Sequence, residues 1–158
     1  MKPTVFILDV DGVLTTGQFY YTEQGKVMKV FGPDDNDALG LLRPFLDVRF
    51  VTGDKRGFEI SRKRVEDDMG YPIDLVSTVK RIDWIRERYE LQSVAFMGDG
   101  IFDHYVMREV GYSIAPANAC TSAKRFASHV TQQSGGDRAV AEACIHLMEK
   151  FFEPFDLG

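Results

Sequence analysis

Two aspartates two residues apart, Asp9 and Asp11, stand directly behind the apolar run Val5-Phe6-Ile7-Leu8, with Gly12 after them. An unbroken run of β-branched and aromatic residues reads as a strand buried on both faces of a parallel sheet. Unpaired carboxylates do not enter a dry core, because burying a charge without a partner is very costly. The strand therefore ends at Asp9, and both acids lie at its C-terminal mouth. In open α/β sheets that edge is where ligands bind. For this stretch alone, a strand running into a turn formed by Asp is the plain alternative.

The remainder of the chain adds matching groups. Thr52-Gly53 follows the strand Val48–Val51, and Gly98-Asp99-Gly100-Ile101-Phe102-Asp103 follows the strand Val94–Met97. Lys80 opens a helix after a short strand at Ile73–Val76. Carboxylates from two strand ends suit a hard cation with oxygen ligands. Magnesium is the natural candidate, since it binds through few carboxylates and bridges substrate phosphate. A threonine hydroxyl, a lysine amine and backbone N–H groups near the same point suit an anion. Cation, anion site and a spare carboxylate together describe phosphoryl transfer. Asp9 can be the nucleophile, giving an aspartyl-phosphate. Asp11 can protonate the leaving oxygen and then activate water, a role worth roughly 10²–10⁴-fold.

The elements that position these residues alternate. Between the first and second strands, Phe19–Thr22 and Val27–Phe31 flank Glu23-Gln24-Gly25-Lys26 as a β-hairpin, an insertion over about 18–31. Gly32-Pro33-Asp34-Asp35-Asn36-Asp37 leads into a helix through Ala38, Leu39, Leu41, Leu42 and Phe45. Further helices are expected over Phe58–Met69, from Lys80 with Ile82, Ile85 and Tyr89 on one face, around Val106 and Met107, after Asn118, and over Arg138–Phe151. A fifth strand at Tyr112–Ala115 and an extended piece at Val130 and Thr131 complete the order. Strands alternating with helices at this spacing predict an α/β, doubly wound parallel sheet in a single domain over 1–158.

Composition narrows the class. The 158 residues carry a net charge of −5, and nothing in them resembles the basic face of a nucleic-acid binder. The N-terminal apolar run is broken by Asp9 and is too short for a signal peptide or membrane span. Cys120 and Cys144 lack metal-ligand spacing and read as reduced thiols of a cytoplasmic protein. The acidic cluster at 34–37 lacks the pattern of a calcium loop.

D-V-D-G-V-L-T at Asp9–Thr15, V-T-G at Val51–Gly53, Lys80 and G-D-G-x-x-D at Gly98–Asp103 resemble the four motifs of the haloacid dehalogenase (HAD) superfamily. The resemblance implies a HAD-like Rossmannoid domain, Asp9 as nucleophile and Asp11 as acid/base. It implies magnesium held by Asp9, the backbone carbonyl of Asp11, and Asp99, with Asp103 supporting the metal site. Phosphate contacts are expected from Val10, Thr52, Gly53 and Lys80. An acid at position 11 is the pattern of the phosphatase and phosphomutase branches.

Three longer stretches resemble the 3-deoxy-D-manno-octulosonate 8-phosphate phosphatases and their nonulosonate 9-phosphate relatives. They are F-Y-Y-T-E-Q-G-K-V-M-K-V-F, V-M-R-E-V-G-Y-S-I-A-P-A-N-A and S-G-G-D-R-A-V-A-E-A. In that subfamily a β-hairpin stands in place of a cap domain, four subunits join through their hairpins, and neighbours cap each active site. A homotetramer acting on a small-molecule phosphate ester is thus implied. Asp54-Lys55 departs from the usual arginine after Thr-Gly and looks more like the nine-carbon enzymes, as candidate specificity residues together with Arg62 and Arg64. The expected function is magnesium-dependent hydrolysis of an eight- or nine-carbon sugar-acid phosphate. The alternatives are a phosphatase of another small metabolite, or a non-catalytic domain that kept the fold.

Overall fold

The computed structural model describes residues 1–156 and 158. The chain begins with β1 (Val5–Asp9), followed by the hairpin strands β2 (Thr15–Thr22) and β3 (Gly25–Phe31). Then come α1 (Asp35–Leu42), β4 (Asp47–Thr52) and α2 (Phe58–Arg62), which continues as a π-helical stretch over Lys63–Asp68. The second half runs β5 (Ile73–Leu75), α3 (Arg81–Arg86), β6 (Val94–Met97), α4 (His104–Met107) and β7 (Tyr112–Ala115). It closes with α5 (Thr121–Phe126), β8 (His129–Val130) and α6 (Ala139–Phe151).

Six strands form one sheet in the order β5-β4-β1-β6-β7-β8, every pairing parallel. Each of the five residues of β1 is buried, because it lies between β4 and β6 with helices on both faces. Side chains alternate across a strand. Accordingly Phe6 and Leu8 join the core under α1 and α6, while Val5 and Ile7 join the core under α3, α4 and α5. The strand order reverses around β1, so a crevice opens at its carboxyl end, the topological switch point. The doubly wound α/β expectation agrees with this. Among the described residues no helix is long and apolar enough to cross a membrane.

The hairpin forms its own two-stranded sheet, with irregular register on both sides of Phe19 and Tyr20. Phe19, Tyr20, Tyr21, Val27, Met28 and Val30 are all exposed, on both faces of the ribbon. Lys29, paired across the strands with Phe19, is buried, and Phe31 packs on the main core. At the opposite end of the chain, Phe151 and Phe152 pack on the same core, and the Phe152 ring lies 5.3 Å from that of Phe45. Helix α1 stops at Leu42, so Phe45 lies beyond it, in the turn that follows.

Candidate active site

The loop after β1 is shaped by its own sequence. The carbonyl of Val10 accepts N–H bonds from Val13, Leu14 and Thr15, and Thr15 Oγ1 accepts those of Gly12 and Gly17. Gly12 adopts φ +81°, a conformation that L side chains rarely take, and a Cβ there would collide with the carboxylate of Asp99. Glycine therefore lets the backbone after Asp11 approach the end of β6. Asn118 braces this loop by donating to the Gly12 carbonyl at 3.0 Å and accepting from Gly135 N–H at 2.6 Å. A side chain at Gly135 would strike the backbone of Gly12 and Thr15, which gives the Ser134–Asp137 loop its reason for glycine.

Asp9, Asp99 and Asp103 converge, each offering one carboxylate oxygen within 4.8 Å of the other two. One buried cation stands among them, Arg81 from the first turn of α3. Its guanidinium donates to Asp9 Oδ2 at 3.0 Å and to Asp103 Oδ1 at 2.9 Å, with its side chain wholly buried. Asp103 Oδ2 also accepts the Gly100 N–H at 2.8 Å, so both its oxygens are engaged. Among the described residues the Asp99 carboxylate has no hydrogen-bond partner on another residue.

Burial raises the Asp99 carboxyl to about 8, with the charges of Asp9 and Asp103 adding to the effect. Burial likewise raises Asp9 to about 6, opposed by Arg81 and reinforced by Asp103. Three carboxylates against one guanidinium leave two negative charges unbalanced when all are ionised. That deficit, and free oxygens on Asp99 in the space that Gly12 leaves open, fit a divalent cation with oxygen ligands.

Not every expected residue takes its expected place. Lys80 is exposed, in a single 3-10 turn over Thr78–Lys80, and forms no ion pair with the carboxylates. The basic residue that reaches the cluster is Arg81, one position along the chain. Arg81 lies four positions before Ile85, and these are the two buried residues of α3. Successive helical residues rotate by about 100°, so only one of two adjacent basic residues can face the sheet. The apolar phase of α3 points to Arg81.

Thr52 is fully buried at the end of β4, with Oγ1 accepting the Asp54 N–H at 3.1 Å, and Gly53 beside it is exposed. The Val10 N–H, expected toward phosphate, donates instead to the neighbouring Asp9 Oδ1 at 2.8 Å. Asp11 lies at the rim, its carboxylate 2.8 Å from the Lys29 ammonium, and burial raises its pKa against the pull of that lysine.

The candidate specificity residues separate. Asp54 is taken up by Lys26 at 2.6 Å, Lys29 at 2.8 Å and the Gly57 N–H at 3.1 Å. Burial acts to raise its carboxyl, but these donors outweigh it and hold the group at about 2. Asp54 is therefore an internal ion-pair partner rather than a free substrate contact. Lys55 is exposed and pairs with no carboxylate among the described residues. Arg62 binds Glu59 and Asp67 of its own helical segment, each at 3.1 Å. Arg64 lies close enough to act on Asp35, in the α1–α6 region. Neither arginine bonds to the carboxylate cluster.

Lys29 escaped the sequence reading because a lysine in a short hairpin strand reads as solvated. A signal exists. Alternation from Phe31, which faces inward, places residue 29 on the same face. A concavity of about 720 Å³ between α1 and α6 is lined by residues such as Ala38, His129, Ile145 and His146 and includes none of the clustered carboxylates.

A parallel sheet whose switch point gathers an Asp-x-Asp strand end, a second acidic strand end and a buried cation defines a phosphohydrolase of the HAD type. No family model matches the sequence. The 3-deoxy-D-manno-octulosonate 8-phosphate phosphatase KdsC of Escherichia coli K12 is 32% identical over 155 residues, spanning 91% of this chain and 78% of that one. The Moraxella catarrhalis 3-deoxy-D-manno-octulosonate 8-phosphate phosphatase, solved with magnesium, phosphate and KDO, superposes with a TM-score of 0.78 at 25% identity. That match covers 94% of this chain and 87% of the other. The cobalt-bound Haemophilus influenzae phosphatase YrbI gives a TM-score of 0.80 at 26% identity, covering 94% and 88%. The chain belongs to the 3-deoxy-D-manno-octulosonate 8-phosphate phosphatase family of the HAD superfamily.

Proposed function

We propose that the protein is a magnesium-dependent phosphatase of a small sugar-acid phosphate, acting through an aspartyl-phosphate on Asp9. The observation that carries this reading is the Asp9–Asp99–Asp103 cluster, two charges short of balance, at the switch point of the sheet. Its relatives are named for an eight-carbon 2-keto-3-deoxy acid phosphate, which supports that substrate class here.

Asp9 and Asp99, with the backbone carbonyl of Asp11, would hold the cation. Magnesium bound there supplies charge neutralisation to the phosphoryl oxygens. Arg81 keeps Asp9 oriented and ionised beside Asp103, through the bonds described above. A carboxylate oxygen of Asp9 attacks phosphorus as the ester P–O bond breaks, and Asp11 gives its proton to the departing sugar oxygen. Asp11 then takes a proton from water, which attacks the same phosphorus. The bond to Asp9 breaks and inorganic phosphate leaves.

The exposed aromatics of the hairpin support assembly through the hairpin, in a homotetramer of cytoplasmic subunits. A contiguous apolar surface on a soluble domain marks an interface. Phosphoryl transfer gains from excluding water, and a neighbour's surface over the mouth would do so. A screen of eight- and nine-carbon sugar-acid phosphates, ranked by kcat/KM with and without magnesium, tests the reading. The expected result is one preferred sugar acid, well above aryl phosphates. Equal, metal-independent rates on all of them would overturn it.

A further inference from the structure

Lys29 reaches from the hairpin into the mouth of its own subunit's site. Its side chain is wholly buried. The ammonium lies 2.8 Å from Asp11 Oδ1, 2.8 Å from Asp54 Oδ2 and 2.8 Å from Ser61 Oγ on α2. A lysine ammonium has three N–H donors, so these three acceptors saturate it. No donor is left for a ligand. Lys26 closes the group by pairing with Asp54 at 2.6 Å, and its ammonium stands 3.9 Å from the Phe19 ring centroid. Two lysines and two aspartates give a balanced network that, with Ser61, ties hairpin strand β3 to the loop after β1, the loop after β4 and α2.

A half-exposed aspartate on a loop has free rotation about χ1 and χ2 unless something holds it. Asp11 has no other side-chain partner in the described chain than Lys29. We propose that Lys29 is the positioning residue for Asp11. It fixes the carboxylate that serves as acid and base, so that the hairpin contributes to the chemistry of its own subunit as well as to any contact between subunits. The inference rests on the phosphatase reading and on Asp11 as its acid/base. It goes beyond both in assigning a residue from outside the four motifs. Small misplacements of a catalytic group are costly in rate. Because Lys29 touches Asp11 and not the ligand, its loss must show in kcat rather than KM. It must also show where leaving-group protonation matters.

The test uses Lys29→Met, Lys29→Arg and Ser61→Ala, each assayed with magnesium on an alkyl and on an aryl phosphate monoester. Magnesium-dependent aryl turnover that persists in all three shows that the nucleophile and metal site survive, independently of Lys29. For Lys29→Met the expected loss in kcat is about 30-fold or more on the alkyl ester and a few-fold on the aryl ester, with KM nearly unchanged. Lys29→Arg should recover part of the alkyl loss. Ser61→Ala leaves both charges in place, and should lower the alkyl-to-aryl kcat ratio by about 2- to 5-fold. It keeps the question answerable if the methionine variant does not fold. Equal losses on both esters, a loss confined to KM, or an unchanged ratio in Ser61→Ala would each overturn the proposal.

Discussion

Asp99→Asn removes the one carboxylate of the cluster that has no side-chain partner, so it should stabilise the metal-free protein while ending its response to magnesium. The Asp99 carboxyl is raised from 3.8 to about 8, chiefly by burial. Each unit is worth about 1.36 kcal/mol, so the three or so units between its ordinary value and pH 7 correspond to roughly 4 kcal/mol. Relaxation and water entry reduce such figures, and about 2 kcal/mol is the working expectation. For a chain of this size that is a rise of about 4–8 °C in Tm. The pH dependence has a definite sign. A carboxyl whose pKa rises on folding contributes its stability below about pH 4 and loses it as pH climbs toward 8. The variant's advantage over the wild type should therefore be small near pH 4 and largest at pH 8. The assay is thermal unfolding in a chelator at both pH values, repeated with excess magnesium, which should stabilise the wild type at pH 8 and leave the variant unmoved. No advantage at pH 8, or the same advantage at both pH values, would refute the electrostatic account.

Other substitutions test other parts of the site. Arg81→Ala leaves Asp9 and Asp103 buried without their cation and should cost about 3–5 kcal/mol in chemical denaturation, whereas Lys80→Ala should stay within about 0.5 kcal/mol. If Lys80→Ala is the more disruptive, the assignment of Arg81 fails. Asp11→Asn should lower kcat by about 10²- to 10⁴-fold on alkyl phosphates and far less on aryl phosphates, which need little protonation. Light scattering on a Tyr20→Lys, Val30→Lys variant should show monomers where the wild type shows tetramers. A wild type that stays monomeric at micromolar concentration would contradict assembly through the hairpin.

The sheet was legible because its strands are short, buried and apolar, and because β1 and β6 run into carboxylates that do not enter a core unpaired. Val5–Leu8 into Asp9 and Val94–Met97 into Asp99 both fold as that pattern requires. What escaped was the direction of individual cations. Lys80 and Arg81 are adjacent and alike in charge, and the 3-10 turn before α3 decides which of them faces inward. Lys29 looked solvated, and only the partners brought from the loops after β1 and β4 and from α2 make its burial tolerable. Asp54 is a candidate specificity residue by sequence, yet the hairpin lysines pair with it. Such ion pairs join residues distant in sequence, so local pattern carries little trace of them.

The central claim is that Asp9 carries the phosphoryl group during magnesium-dependent turnover. The direct measurement is acid quenching of the protein during steady-state hydrolysis of an eight- or nine-carbon sugar-acid phosphate, followed by peptide mass analysis. The account predicts one phosphoryl group on the peptide bearing Asp9, present only with magnesium and absent from Asp9→Asn, which should not turn over. An Asp9→Asn variant that releases phosphate within tenfold of the wild-type rate would contradict it.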